Sequence, residues 1–366
     1  MSALVNPAYR VLVMKKSIRG LSIVLFTVFL SACSKGGSSA VPTSSPTAAP
    51  SAIPSSTSAP YALLLAPDSP KPDSQQLAVK AVESFCTQKG LALKRIAPGN
   101  SLPEDYLLGA PSLVAAVGTG LGPAIQAAAQ AHPEIRFVAV EETGVQPLPN
   151  LLVIGGENIR LDQEGFLAGI LATVENQNEY VGWIGQNGTV SGTIYRNSFV
   201  HGVRYACPRC RLFDFELDPS AGAPDGITAA GSLLGDYVDT ASAVPGAAGD
   251  AGLIALAKSG IRVAGTQPDF YSSVFGGGTG DGSKSVLGGP AYRPDILLAD
   301  LLPRYLGGEQ FTEAAAYSLE NHSLEFAAFP NDWISSGRQI YLQEIVDDLA
   351  SGRLDIGVDP KTGAET

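Results

Sequence analysis

Histidine is scarce in this chain, with three in 366 residues (His132, His201 and His322) and no two spaced as a pair. A zinc site would need such a pair beside cysteines, and a Ser-His-Asp arrangement would need a lone histidine carried into place by folding. The chain has no G-x-S-x-G, H-E-x-x-H or phosphate-binding P-loop pattern. An enzyme is therefore not expected, nor a cofactor or metal, although paired carboxylates are a route to catalysis that sequence leaves open. Positive charge is also short: 24 Lys and Arg stand against 35 Asp and Glu, a net charge of −11, with no basic stripe in the body. Such a surface repels phosphate backbones, which argues against nucleic acid as a partner. No short-period repeat is present.

Long apolar runs are missing as well. The most apolar stretch, Leu21 to Leu30, is about ten residues, too short to span a bilayer as a helix. It follows the basic residues Lys15, Lys16 and Arg19, the layout of a secretory signal, and Met14 just before them is a second candidate start. Leu30, Ser31, Ala32 and Cys33 come next and resemble the lipobox cut by lipoprotein signal peptidase. That likeness implies that residues 1–32 are removed and that Cys33 becomes lipidated, anchoring the chain on the extracytoplasmic face of the cell membrane. Removing four basic residues (Arg10, Lys15, Lys16, Arg19) and no acidic one lowers the formal charge from −11 to −15. Residues 33–60 are then the lipidated cysteine and a tether of Ser, Pro, Ala, Gly and Thr, too poor in bulky side chains to bury a core.

Three cysteines remain. Cys207 and Cys210 form a C-x-x-C that a local disulfide would close in an oxidising compartment, a redox role and half a zinc site being the sharper alternatives; Cys86 lies in a helical pattern as a small buried side chain.

About 300 residues follow the tether, enough for two cores. Near-continuous apolar runs alternate with helical patterns, as buried parallel strands require. Strands are predicted at 61–66, 91–97, 112–118, 135–141 and 150–154, with helices at 74–89 and 122–131. After a helix at 162–175 the alternation restarts, with strands near 180–185, 211–216, 240–244, 261–265 and 285–287. Helices near 192–206, 226–237 and 248–259 cover them, and others close the chain at 293–306 and 335–351. The reading is an α/β protein of two doubly wound parallel-sheet lobes joined by a hinge. Lobe 1 is 61–157 plus about 290–322, and lobe 2 is 158–289 plus about 323–366. Ligands of such sheets sit beyond the carboxyl ends of the strands. Those ends carry Asp68, Gly118 to Gly122, Glu141 and Glu142, Gln186 to Thr189, Pro245 to Gly249 and Gln267 to Phe270.

Four stretches carry a family resemblance: Val114 to Glu142, Asp162 to Gly169 with its F-L-A-G, Val181 to Pro208 with its V-G-x-x-G strand, and Ala247 to Gly260. They are similar to the basic membrane protein family of solute-binding lipoproteins, which includes purine-nucleoside receptors of ABC importers. The resemblance implies a type I periplasmic-binding-protein fold, lobes that close around a nucleoside-like solute, and an ABC permease as partner. A sensor lipoprotein with a signalling partner, and a hydrolase on the same scaffold, are the alternatives. Expected acceptors are Asp68, Asp73 and Asp269; expected amide donors are Gly118, Thr119, Gly120 and Gly246. Asn187 and Gln267 stand at strand ends, and Tyr195, Phe215, Phe270 or Tyr271 could offer a ring face. The chain departs from the family pattern at Lys71 to Gln75, where D-x-S-F-N is usual, at Gln267 in place of an aspartate, and at Gly288 in place of a lysine. Ligand identity is open at those positions.

Overall fold

A computed structural model describes residues 60–366 except Pro98, Asn100, Asp269 and residues 329–333. The signal segment, Cys33 and the tether, like Asp269, lie outside the described residues.

The first sheet is assembled from β1 (Tyr61–Leu65), β2 (Ala92–Ile96), β3 (Leu113–Val117), β4 (Phe137–Val140), β5 (Leu151–Ile159) and β11 (Ala315–Tyr317) in the order β11-β5-β4-β3-β1-β2, parallel throughout. The second contains β6 (Tyr180–Gln186), β7 (Arg211–Leu217), β8 (Thr240–Ala243), β9 (Arg262–Ala264), β10 (Val286–Tyr292) and β12 (Leu324–Ala328) in the order β12-β10-β9-β8-β6-β7, with β12 antiparallel at its edge. Each order places the first strand of the lobe beside its second and third, so the two halves repeat one winding plan. The chain passes between the sheets three times: from β5 to β6, from β10 to β11 and from β11 to β12.

Side-chain alternation along the strands decides what covers each face. Ala62 and Leu64 of β1 turn to a core shared with α1 (Asp73–Lys89) and α7 (Pro294–Leu306), whereas Leu63 and Leu65 turn to the core under α2 (Gly122–Ala131). In the second lobe α5 (Ala223–Gly235) and α6 (Ala247–Lys258) cover one face. The other face meets α3 (Leu161–Val174), α4 (Val190–Ala206) and α8 (Ser336–Ala350). α3 is buried along nearly its whole length, which explains its lack of a polar face. It packs on α4 backbone to backbone: a Cβ on Gly169 would enter the Phe199 carbonyl, and one on Gly202 the Phe166 carbonyl. A disulfide joins Cys207 to Cys210, and Cys86 is buried and unpaired.

Two short strands went unpredicted. β11 is three residues, and β12 follows it after a tight turn, so neither makes an apolar run long enough to stand out.

Candidate functional site

The carboxyl ends of β1, β4, β9, β10 and β11 and the middle of β5 converge on a cleft of about 340 Å³. The first sheet contributes Lys71, Pro72 and Gln75 from the β1–α1 connection and the start of α1, Glu141 and Thr143 after β4, and Gly156 in β5. Gln267, Pro268 and Ser273 follow β9, and Tyr292 and Tyr317 end β10 and β11.

Tyr292 and Tyr317 are the cleft's aromatic element. One comes from each sheet, and the rings stack 4.6 Å apart at 17°. The Tyr317 hydroxyl donates to Glu141 Oε1 at 3.2 Å and the Tyr292 hydroxyl to Glu164 Oε1 at 2.8 Å. Burial, together with the neighbouring glutamate, holds both phenols well above their ordinary value. Room for Tyr317 is made by β5, which is irregular where it pairs with β11. Gly155 and Gly156 there take φ of 64° and 68°, and a Cβ on Gly155 would lie inside the Tyr317 ring. Glu141 itself has φ of 54°, a left-handed conformation uncommon for a non-glycine residue, at the point where the chain turns into the cleft wall.

On the opposite wall, Asp250 in the first turn of α6 accepts from Thr266 Oγ1 at 2.7 Å and from Gln267 Nε2 at 2.8 Å. Burial raises the Asp250 carboxyl, against the lowering effect of the Thr266 hydrogen bond. Gln267 is thereby oriented by a residue behind it. The crossover segments are latched together: Gln163 Oε1 accepts from the Leu319 amide at 2.9 Å, and Arg160 pairs with both Asp162 and Glu320.

Of the residues expected at the site, Gln267 lines the cleft. Gly118 and Thr119 stand behind the wall and do another task. The Gly118 amide donates to the Val140 carbonyl, and its bare Cα leaves space for the Gln75 side chain, which a Cβ would displace. The Thr119 amide and hydroxyl both donate to Oε1 of the buried Glu142, at 2.7 Å each. These donors are committed within the protein. Gly120 and Gly246 are exposed at loop positions with φ of 72° and 136°, and neither lines the cleft.

Asp68, Asp73 and Asn187 are also exposed and outside the lining, with Asp68 on a separate surface groove beside Lys80, Glu83 and Arg95. Tyr195 and Phe270 lie in the core, both 0% exposed. Tyr195 stacks on Trp183 with centroids 5.9 Å apart, and Phe270 meets Phe275 edge-on at 5.6 Å. Phe215 and Tyr271 pack against the second lobe's core in the same way, because their rings serve the hydrophobic layer under α5 and α6. Sequence reasoning missed Tyr292, Tyr317, Gln75, Thr143, Gly156 and Ser273 as lining residues. Gln75 and Glu141 lay in stretches already marked by motif position and strand end, whereas Tyr317 sits on an unforeseen strand. Among the described residues no group of three His, Cys, Asp or Glu side chains is placed to hold a metal ion.

No family model matches the chain, and no curated protein does. Solved structures do. An ABC transporter solute-binding protein from Conexibacter woesei is 16% identical over 81% of this chain and 98% of its own, with a TM-score of 0.56. A transcriptional activator of the comK gene from Bacillus halodurans is 15% identical over 80% and 99%, at 0.58. ABC transporter solute-binding proteins from Aeropyrum pernix are 13% identical over 81% and 93%, at 0.53. At such identity the likeness establishes the fold: an α/β, two-lobed type I periplasmic-binding-protein fold, with two parallel-dominated sheets wound alike.

Proposed function

We propose that this chain is the extracytoplasmic solute receptor of an ABC importer, lipid-anchored at Cys33, and that it holds a small uncharged polar solute of nucleoside type between its lobes. The observation that carries this reading is the cleft itself, where strand ends of two doubly wound sheets meet at about 340 Å³, at the small end of ligand-pocket sizes. The wall chemistry supports an uncharged guest. Gln75, Thr143, Gln267 and Ser273 offer neutral hydrogen-bonding groups, Glu141 an acceptor, and Tyr292 a ring. The lining described contains no arginine to fork a carboxylate or phosphate, and its single cation, Lys71, is matched by a single carboxylate, Glu141. The likeness of four sequence stretches to the basic membrane protein family supports the nucleoside choice, and Tyr292 supplies the aromatic surface missing from Lys71 to Gln75. A guest bridging both walls favours the closed arrangement by its differential contacts, and the permease reads that arrangement.

The test is thermal unfolding of the full chain with adenosine, inosine, purine bases, monosaccharides and amino acids at saturating concentration, since a ligand of the folded state raises the transition by mass action. A shift with the nucleosides is expected. A shift confined to sugars or amino acids reassigns the solute, and no shift with any of them overturns the receptor reading.

A further inference from the structure

Two of the three crossovers carry the same three-residue device. Arg160-Leu161-Asp162 follows β5 and Arg293-Pro294-Asp295 follows β10. In each the arginine stands immediately before a helix, α3 or α7, and the aspartate lies in that helix's first turn. The side chains repeat bond for bond. Nε and Nη2 of Arg160 donate to the two oxygens of Asp162 at 2.8 and 2.7 Å, and those of Arg293 to Asp295 at 2.9 and 2.8 Å. Nη1 is turned in both cases to a glutamate of the third crossover: Glu320 at 2.8 Å for Arg160 and Glu325 at 2.6 Å for Arg293. The backbone repeats as well, because the Arg160 amide donates to the Tyr317 carbonyl at 3.0 Å and the Arg293 amide to the Ser323 carbonyl at 2.8 Å.

A guanidinium can fork two parallel bonds onto one carboxylate and still offer a donor to a second, which an ammonium cannot copy. Both glutamates are nearly half exposed, so neither Arg–Glu pair would count for much alone. Their weight comes from where they join. Between Glu320 and Glu325 the third crossover is a closed turn, in which the Ser318 carbonyl accepts from the Ser323 and Leu324 amides at 3.2 and 3.0 Å and the Leu319 carbonyl from the His322 amide at 3.1 Å. A closed turn gripped at both ends ties all three crossovers together. The cleft tyrosines stand at its margins, Tyr292 directly before Arg293 and Tyr317 bonded through its carbonyl to Arg160. We propose that Arg160 and Arg293 are paired positioning residues that brace the three crossovers into one unit, hold the backbones of Tyr292 and Tyr317 in place for stacking, and make a disturbance at either clamp felt at the other. The consequence for solute binding rests on the receptor reading; the brace does not.

Hydrogen exchange of the full chain without solute, read by mass spectrometry, tests the coupling at the amides of Arg160, Leu319 and Arg293. Arg293→Lys keeps the charge and loses the fork. It should speed exchange at Arg293 and also at Leu319 and Arg160, by about fivefold or more, and Arg160→Lys should do the converse. Glu325→Gln, which removes only one half-exposed partner, should give the same pattern at smaller amplitude. The near-ultraviolet circular dichroism lost on adding Tyr292→Phe isolates the stacked tyrosine. That difference should shrink in Arg160→Lys, whose clamp bonds to Tyr317 through the backbone. Exchange that rises only in the crossover carrying the substitution overturns the proposal, and so does an unchanged tyrosine signal in Arg160→Lys. With adenosine as probe, affinity should fall by about threefold or more in both lysine variants. If adenosine fails to bind wild type while exchange and dichroism behave as stated, the nucleoside reading fails and the brace stands.

Discussion

Tyr292 and Tyr317 stack on one another, yet the two lobes hold them by different means. Tyr317 is seated by backbone: β5 opens at Gly155 and Gly156, and the ring fills the space where a side chain would be. Tyr292 is seated by a side chain, through the bond from its hydroxyl to the fully buried Glu164. Glu141, the partner of Tyr317, is partly exposed and lines the cleft, whereas Glu164 is sealed in the core of α3. A ring seated by backbone is intolerant of substitution. One seated by a buried acid answers to protons.

The largest effect should come from the backbone side. Gly155→Val adds a β-branched side chain at φ of 64° directly into the Tyr317 ring. Strain and overpacking combine there to a loss of about 3 kcal/mol or more, to be read from urea unfolding. The same substitution at Gly90, where φ is 66° and a Cβ meets nothing within 4 Å, should cost only the conformational part. Equal losses at the two positions would mean that Tyr317 is not held by the opening in β5.

The acid side should show in the pH dependence of stability. Glu164 titrates near 4.5 when unfolded and is raised to about 8 when folded, so the folded state binds the extra proton between those values. Its stabilising contribution is complete below about 4.5 and is lost as pH rises through 8, by at most about 5 kcal/mol over the whole interval. Glu164→Gln should flatten this part of the profile and leave low-pH stability near wild type. Asp250, raised by burial, adds in the same direction and remains in the variant.

This contrast also explains what could be read in advance. Ten of the twelve strands and all eight α-helices among the described residues were legible because buried parallel strands write continuous apolar runs, and Pro123, Gly90 and Thr189 punctuate helices as their backbone preferences require. The cleft was legible as a set of strand ends and hardly at all as a set of side chains. Gly118 and Thr119 carry the composition of a ligand loop, but their polar groups satisfy Val140 and Glu142 instead. Tyr195 and Phe270 have the ring chemistry of a stacking platform and are used as core. Tyr317 reaches the site on a three-residue strand that crosses back from the other sheet. Nothing local in the sequence announces that crossing.

A third way of holding a cleft residue lies on the opposite wall, where Asp250 orients Gln267. Asp250→Asn keeps the shape but has one acceptor oxygen for two donors, Thr266 and Gln267. Stability should fall by about 1–2 kcal/mol, and in adenosine titrations the affinity should fall while the Glu164-linked pH profile keeps its form. A changed profile would show that the two walls are coupled through more than the guest.

The smallest effect has to be separated from that of Glu164, because it has the same sign. His132, at the carboxyl end of α2, meets Glu104 through Nε2 at 2.7 Å and Glu134 through Nδ1 at 3.3 Å. The hydrogen bond to Glu104 raises its imidazole above the ordinary 6.5. A raised histidine stabilises fully below its unfolded value and loses that contribution as pH rises through the folded one, so it too makes stability decline toward alkaline pH. The carboxylates around it are exposed and screened by solvent, so the step should be small and should shrink in high salt. Glu104→Gln removes the larger part of it without touching the cleft. The difference between wild type and Glu164→Gln should be the same in that background as in wild type, since the two sites share no partner. If Glu104→Gln instead erased the decline that Glu164→Gln is expected to erase, the proton that matters would belong to His132, and the contrast between the two tyrosines would not be one of titration.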